Sequence, residues 1–221
     1  FLVDLTKVTH DIKFRTLNID KTKIFDLMHE EKTRKFAQKL NQISPSCDYN
    51  IFGTRTGRLT TKKNSFPILT MDRRYRKIVS PTNDWFVEFD YNGAELRTFL
   101  ALSDKEQPKR EEVKERFFAW LYNLESKDHL SDRIYGASRT TVIEEYFNDD
   151  SVTNPFGRTI ASDEYHAMSY LIQSTCSDVV LRQMIKINKY LQDKSSFVAF
   201  CVHDEVVLDV TDAECRLINV L

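Results

Sequence analysis

Acidic residues occur at two places in this sequence where a strand is predicted to end. The first is within residues 85–97, WFVEFDYNGAELR, where an apolar run rich in aromatic and β-branched residues stops at Asp90. Such a run predicts a buried strand, so we expect Asp90 at the point where the strand ends and the chain turns. A carboxylate fixed at a strand end is a good metal ligand, but one carboxylate cannot hold a catalytic pair of Mg²⁺ ions.

A second acidic group lies near the other end of the sequence. Residues 197–210, FVAFCVHDEVVLDV, form two apolar runs separated by His203, Asp204 and Glu205. Two strands joined by so short a polar link predict a β-hairpin whose tip carries both acids. If the hairpin lies beside the strand that ends at Asp90, three carboxylates converge, and Mg²⁺ prefers such oxygen ligands. Taken singly, each acid is better explained as a solvated turn residue.

The segments around these acids combine predicted strands with predicted helices. The turn residues Asn92 and Gly93 follow Asp90, and a helix is predicted over residues 94–102 with Glu95 in its first turn. Three further segments carry periodic patterns or turn signals: residues 21–40 (one or two amphipathic helices), 154–160 (a turn, then a strand) and 163–192 (long helices).

Composition indicates a globular protein. The chain has 221 residues, of which 41% are hydrophobic and 29% are charged, which is enough to bury a core. No apolar stretch approaches the length of a membrane span and no signal peptide opens the sequence, so we expect no membrane partner. The cysteines show no metal-ligand spacing and are expected to be reduced core thiols: Cys47, Cys176, Cys201 and Cys215.

The distribution of charge is more informative than the net charge of -1. Between Arg55 and Lys77 there are eight basic residues and one acid, Asp72. A local surplus of this size suits the phosphate backbone of a nucleic acid. A solvated charged face explains the surplus better if the cluster is considered alone.

Residues 110–122, REEVKERFFAWLY, predict a helix with the profile of a nucleotide-binding element. Arg110, Lys114, Phe118 and Tyr122 recur at every fourth position, so their side chains wind down one face of the helix. The two cations could grip a triphosphate, and the two aromatic rings could present a flat surface to a base. By spacing alone, an amphipathic core helix is an equally good explanation.

Several of these segments resemble motifs of the family A DNA polymerases, the group of bacterial DNA polymerase I and several phage replicases. DYNGAELR and VHDEVV look like the two carboxylate motifs of that family and occur in the same order. GTRTGRLT, residues 53–60, is similar to its TGRL motif, NPFGRTI to its TxFGR segment, and the fourth-residue spacing of residues 110–122 to its fingers helix. One departure is Asn123, where the family usually has glycine.

The resemblance implies an α+β fold with an antiparallel palm sheet that carries the carboxylates and a helical fingers subdomain. It divides the chain into an N-terminal segment from the base of the thumb and palm, a palm segment with the first carboxylate motif, a fingers segment, and a palm segment with the second motif: residues 1–52, 53–104, 105–162 and 163–221. The chain begins without methionine and in mid-pattern, so we expect it to belong to a longer protein.

The resemblance also implies roles for individual residues. Two Mg²⁺ ions would be held by Asp90, Asp204 and the backbone carbonyl of Tyr91, with Glu205 as a third carboxylate of lesser importance. The incoming dNTP would meet Arg110 and Lys114 at its phosphates, Phe118 at its sugar and base, and Tyr122 near the templating base. Glu95 would exclude the ribose 2′-hydroxyl. The residues implied to contact DNA are Arg58, Asn64, Gln173 and His203.

These resemblances predict a DNA-templated DNA polymerase that binds primer-template DNA and dNTPs in the cytoplasm of a prokaryote or of a phage-infected host cell. A catalytically silent DNA-binding module with the same fold is one alternative. A single-subunit RNA polymerase is another, although Glu95 favours synthesis of DNA. A metal-dependent nuclease could also use paired acids, but it would have no use for a helix that grips a dNTP.

Overall fold

A computed structural model describes residues 1–106, 120–122 and 138–218. These residues form two compact units. The first unit comprises Phe1–Gly53, Leu59–Asp90 and the described residues from Val180 onward. The second comprises Thr54–Arg58 and the described residues from Tyr91 to Val179.

The described residues combine helices with small antiparallel sheets. In chain order the elements are α1 (Leu2–Phe14), β1 (Asn18–Ile19), a 3₁₀ segment (Lys21–Leu27), α2 (Glu31–Leu40), β2 (Tyr49–Asn50), β3 (Thr60–Thr61), a second 3₁₀ segment (Arg73–Ile78), β4 (Val79–Ser80), β5 (Trp85–Asp90), α3 (Ala94–Leu102), α4 (Arg139–Tyr146), β6 (Phe147–Asn148), β7 (Ser151–Thr153), β8 (Thr159–Ala161), α5 (Glu164–Tyr190), β9 (Phe197–Val202), β10 (Glu205–Val210), a third 3₁₀ segment (Asp212–Glu214) and α6 (Cys215–Ile218). Residues 120–122 are also helical.

The main sheet of the first unit has the strand order β5-β10-β9, with both pairs antiparallel. The strands β9 and β10 consist largely of valine, phenylalanine and leucine, and most of their side chains are buried, as expected for residues that fill a pleated, covered surface. The sequence predicted that β5 is buried, and this is wrong. Trp85 is 55% exposed because, among the described strands, β5 pairs with β10 alone and forms an edge of the sheet.

Helix α1 packs on β9 in the first unit. Its buried residues Leu5, Val8 and Ile12 follow helical spacing and form one apolar stripe. Close by, the Tyr49 hydroxyl donates to the carbonyl oxygen of Cys201 at 2.6 Å and accepts from the backbone N–H of Cys201 at 2.9 Å. A side chain from β2 thereby satisfies both backbone polar groups of one residue in β9.

The second unit is built around one hydrophobic cluster. Its centre is Phe99, which is fully buried and meets the ring of Trp120 edge-on, with ring centroids 5.5 Å apart. The other members come from residues 120–122, from helices α3, α4 and α5, and from the three-stranded sheet β6-β7-β8: Leu96, Leu100, Leu121, Val142, Val152, Ile160, Met168, Leu171 and Ile172. This cluster fixes α3, and therefore the position of Glu95 within the unit.

The structure agrees with most of the elements that sequence patterns predicted. Helix α3 and the β9-β10 hairpin are present, and residues 21–40 contain a 3₁₀ segment followed by α2. The region 163–192 is a single helix of 27 residues, α5. None of the four cysteines forms a disulfide, and three of them are buried. Among the described residues, no helix combines the length and apolarity needed to cross a bilayer.

Candidate functional site

The two acidic motifs meet at one end of the main sheet in the first unit. In the β5-β10 pairing, Asp90 lies directly opposite Glu205. The hairpin loop between β9 and β10 consists of His203 and Asp204 only, and His203 takes the left-handed conformation with φ of 57°, as tight two-residue hairpin loops require. The pairing of β5 with the hairpin therefore places three acidic residues within one strand end and the adjoining loop.

Glu205 is held in an environment that favours its protonated form. Its side chain is 17% exposed, and the nearest cation is Arg76, whose Nη1 lies 3.8 Å from Oε2. Burial, the negative charge of Glu88 and a hydrogen bond with the Glu88 carboxyl group together raise the pKa of Glu205 to about 7, and Arg76 opposes the change. Sequence analysis did not identify Glu88, which lies two residues before Asp90 and on the same face of β5.

The acids at this end of the sheet have the chemical groups that bind a divalent cation, and their backbone positions are close together. Carboxylate oxygens are suitable ligands for Mg²⁺, and Asp90, Asp204 and Glu205 lie on adjoining backbone positions. Their side chains are not gathered around a common point, because within the described residues no group of three or more His, Cys, Asp or Glu could hold a metal ion as placed. Binding of a shared cation would therefore require rotation of these side chains.

A second group of predicted site residues is joined by hydrogen bonds in the second unit. The Glu95 carboxylate, on α3, accepts from Arg58 Nη2 through Oε1 at 2.7 Å and from the Tyr122 hydroxyl through Oε2 at 2.6 Å. Burial and the adjacent charge of Glu95 raise the pKa of Tyr122 well above its usual value. Each oxygen of Glu95 therefore has a fixed donor, and the carboxylate is held in one orientation.

A partly buried ion pair packs against the loop that carries Arg58. Arg158 donates from Nε and Nη2 to Asp178 on α5, at 3.0 and 2.6 Å, and Asp178 also accepts from Asn154 Nδ2 at 2.8 Å. The guanidinium lies so close to Gly57 that a Cβ there would be 2.6 Å from Cζ of Arg158. Gly57 also has a φ of 78°, which favours glycine. Arg158 thus anchors the residue that precedes Arg58.

The remaining predicted site residues have local roles in the structure or lie outside the described residues. Asn64 is exposed in a left-handed turn with φ of 68°, and its carbonyl oxygen accepts from Ser44. Gln173 is half-buried on α5 and donates to Ser169 one turn earlier. Tyr91 follows β5 directly. Three residues of the predicted nucleotide-binding helix lie outside the described residues: Arg110, Lys114 and Phe118.

Most of the basic residues between Arg55 and Lys77 are bound to acids in the fold. Five of the eight have acidic partners within 4.0 Å: Arg58 with Glu95, Lys62 with Asp48, Arg74 with Glu30 and Asp72, Arg76 with Glu205, and Lys77 with Asp26. These pairs lower the local surplus of positive charge that the sequence shows. The stretch is therefore a weaker attractor for phosphate than its composition indicates.

Comparison with known proteins gives a likeness of fold. No family model matches the chain, and no curated protein matches it. Among solved structures, the POL domain of Pol1 from M. smegmatis, in complex with DNA primer-template and dNTP, is similar with a TM-score of 0.64 and 16% sequence identity over 85% of this chain. The chain spans 46% of the length of that protein. The described residues therefore share the fold of part of a DNA polymerase domain.

Proposed function

We propose that this chain is the catalytic part of a DNA-templated DNA polymerase, in which dNTPs are added to a primer 3′-hydroxyl. The observation that carries the proposal is the register of β5 and β10. Asp90 lies opposite Glu205, and Asp204 is the hairpin residue that precedes Glu205. A likeness of fold to a DNA polymerase domain supports it, since the two acidic motifs alone would fit several metal-dependent enzymes.

The carboxylates would act as ligands of two divalent cations, with Asp90 and Asp204 as the main donors and the Tyr91 carbonyl beside them. Such ions, when bound, lower the pKa of the 3′-hydroxyl and neutralise the triphosphate and the leaving pyrophosphate. The chain itself supplies oxygen donors at the end of a rigid sheet. The environment of Glu205, which favours protonation without a metal, suits a carboxylate of secondary importance.

Glu95 would select the sugar of the incoming nucleotide. Its two carboxylate oxygens are fixed by Arg58 and Tyr122, so it cannot swing aside at low cost. A fixed side chain next to the sugar excludes a 2′-hydroxyl more effectively than a mobile one, and this favours DNA synthesis over RNA synthesis. The proposed partners are primer-template DNA and dNTPs.

Primer extension tests the proposal. The parent protein should extend a labelled primer on a template when Mg²⁺ and dNTPs are present, and Asp204→Ala should abolish extension. Asp193→Ala is a matched control, because Asp193 is an exposed acid of the same unit and should leave extension unchanged. Equal activity of the parent and Asp204→Ala would refute the proposal, and shortening of the primer would indicate a nuclease.

A catalytically silent DNA-binding module remains the second candidate. It is favoured by the arrangement of side chains at the sheet end, where no metal-binding group is assembled among the described residues. Such a module would bind primer-template DNA without extending it, and binding would not change with Mg²⁺ at constant ionic strength. Measurement of binding and extension with the same preparation separates the two functions.

A further inference from the structure

A cleft of about 310 Å³ lies in the first unit where α1 faces the strand pair β2-β3. This volume is at the lower end of the range of small-molecule sites. Its lining includes His10 and Lys13 from α1, Asn50 and Phe52 from the chain around β2, and Lys62 from the chain after β3. The function proposed above gives a role to none of these five residues.

The charged side chains of the cleft leave an excess of positive charge. The Asp48 carboxylate binds two ammonium groups, Lys13 Nζ through Oδ2 and Lys62 Nζ through Oδ1, each at 3.0 Å. The lysine side chains stay 42% and 52% exposed. An ammonium group has three donors, so each lysine can bind a further anion while it keeps Asp48. A phosphate group would meet two cations and a single carboxylate here.

An exposed aromatic ring borders the same cleft. Phe52 is 73% exposed, although a ring of this size is normally at least partly covered. Its backbone is fixed, because the Phe52 N–H donates to Asn50 Oδ1 at 3.0 Å in a side-chain turn. The ring is therefore presented to solvent from a defined position beside two lysines and an amide. Cations that alternate with an aromatic ring are the pattern by which proteins hold single-stranded nucleic acid.

We propose that this cleft binds one nucleotide of single-stranded DNA, with the phosphate on Lys13 and Lys62 and the base stacked on Phe52. Bases in a duplex are stacked on one another and have no free face for the ring, so an unpaired segment is the form that fits. The inference rests on the proposed function in its choice of DNA as the ligand. It does not depend on the carboxylates at the sheet end.

Binding of a fluorescently labelled oligo(dT) to the whole chain tests the inference, measured by fluorescence anisotropy in EDTA without dNTPs. Phe52→Ala should weaken binding by at least about 5-fold, because stacking contributes about 1–3 kcal/mol per base. Phe25→Ala is the matched control, since Phe25 is 63% exposed in the same unit and lies outside the cleft lining. It should bind as the parent does.

Changes of charge in the cleft, compared with a control outside it, should affect binding in a way that a purely structural role would not. Asp48→Asn removes the competing carboxylate and should tighten binding several-fold. The double change Lys13→Ala with Lys62→Ala should weaken binding and reduce the salt dependence by a log–log slope of about 0.7 for each lost phosphate contact. Lys35→Ala should do neither, because Lys35 is an exposed lysine paired with Glu31 elsewhere in the unit. Thermal unfolding confirms that each variant is folded.

The outcomes separate this inference from the proposed polymerase activity. Unchanged affinity of Phe52→Ala, an equal loss in Phe25→Ala, or weaker binding by Asp48→Asn would overturn the cleft assignment. Asp204→Ala should retain oligo(dT) binding in EDTA even where primer extension is lost. If the protein extends primers but Phe52→Ala leaves the affinity for oligo(dT) unchanged, the proposed polymerase activity stands and the cleft assignment is wrong.

Discussion

The guanidinium of Arg158 lies against Gly57. A Cβ added to Gly57 would be 2.6 Å from Cζ of Arg158. Gly157 has a similar conformation, with φ of 81° against 78°, but a Cβ there would meet nothing within 4 Å. Gly57 and Gly157 therefore have the same left-handed backbone conformation but different steric surroundings. This difference allows the contact with Arg158 to be measured separately from the cost of the left-handed conformation.

We expect Gly57→Ala to destabilise the protein more than Gly157→Ala. Both variants should lose about 1–2 kcal/mol from the strained φ, and only Gly57→Ala must also displace a guanidinium that donates two hydrogen bonds to Asp178. Urea unfolding of the two variants gives the comparison. Equal losses would show that Arg158 moves aside without cost.

Removal of the Asp178 carboxylate should be among the most damaging changes in the second unit. Asp178 is 2% exposed, and Asp178→Ala removes the carboxylate that pairs with the partly buried Arg158 guanidinium, at a cost of about 3 kcal/mol, the low end of the range for a buried pair. Replacement of both residues by apolar ones, Arg158→Met with Asp178→Leu, should recover part of the loss. A double variant less stable than Asp178→Ala would contradict this interpretation.

Tyr122→Phe should reduce the stability of the protein and leave the Glu95 side chain less restrained. The change deletes a 2.6 Å hydrogen bond from a partly buried hydroxyl to a carboxylate, and bonds to charged groups contribute about 1.5–3 kcal/mol. Tyr165→Phe is a matched control, because Tyr165 is 62% exposed in the same unit. A double-mutant cycle with Glu95→Gln measures the coupling, and a coupling energy near zero would show that the hydroxyl and the carboxylate do not interact in solution.

Glu95→Ala should raise the incorporation of rNTPs relative to dNTPs if the proposed function holds. Loss of the carboxylate opens space near the sugar and frees Arg58 and Tyr122. The ratio of the two extension rates under the same conditions is the readout, with the exposed residue Glu144 changed to alanine as the control. Unchanged sugar selectivity would remove Glu95 from the proposed role.

The stability of the metal-free protein should depend on Glu205 over a defined range of pH. Its pKa rises from 4.5 to about 7 on folding, so below pH 4.5 both states are protonated and Glu205 contributes no difference. As the pH rises toward 7, the unfolded state loses its proton first and stability falls. In EDTA, Glu205→Gln should remove this contribution and become progressively more stable than the parent between these pH values. Parallel pH profiles of the two proteins would contradict the prediction.

Local patterns predicted the elements of this fold better than its contacts. The helix α3 and the β9-β10 hairpin follow from apolar periodicity and turn residues, which are encoded within a few positions. The exposure of β5 depends on its place at the sheet edge, which the apolar run itself does not encode. Pattern can establish which segments form strands, and it cannot establish which strand lies at the edge.

Ion pairs were the least predictable part of the candidate site. Arg58 and Glu95 are 37 residues apart, and Arg158 and Asp178 are 20 apart. A basic stretch in a sequence gives the number of cations but not the acids that the fold will bring to them. The excess of charge between Arg55 and Lys77 was therefore overestimated, and the role of Glu88 beside Glu205 was not anticipated.

The contact between Tyr49 and Cys201 has a consequence for self-association. Among the described strands, β9 is an edge strand of its sheet, and unpaired backbone groups of an edge strand could template another chain. The phenol of Tyr49 occupies both groups of Cys201 at once, so a strand from a second molecule could not form a continuous ladder past that position. One aromatic side chain thus limits intermolecular β-pairing along the β9 edge of this sheet, and β5 forms the opposite edge.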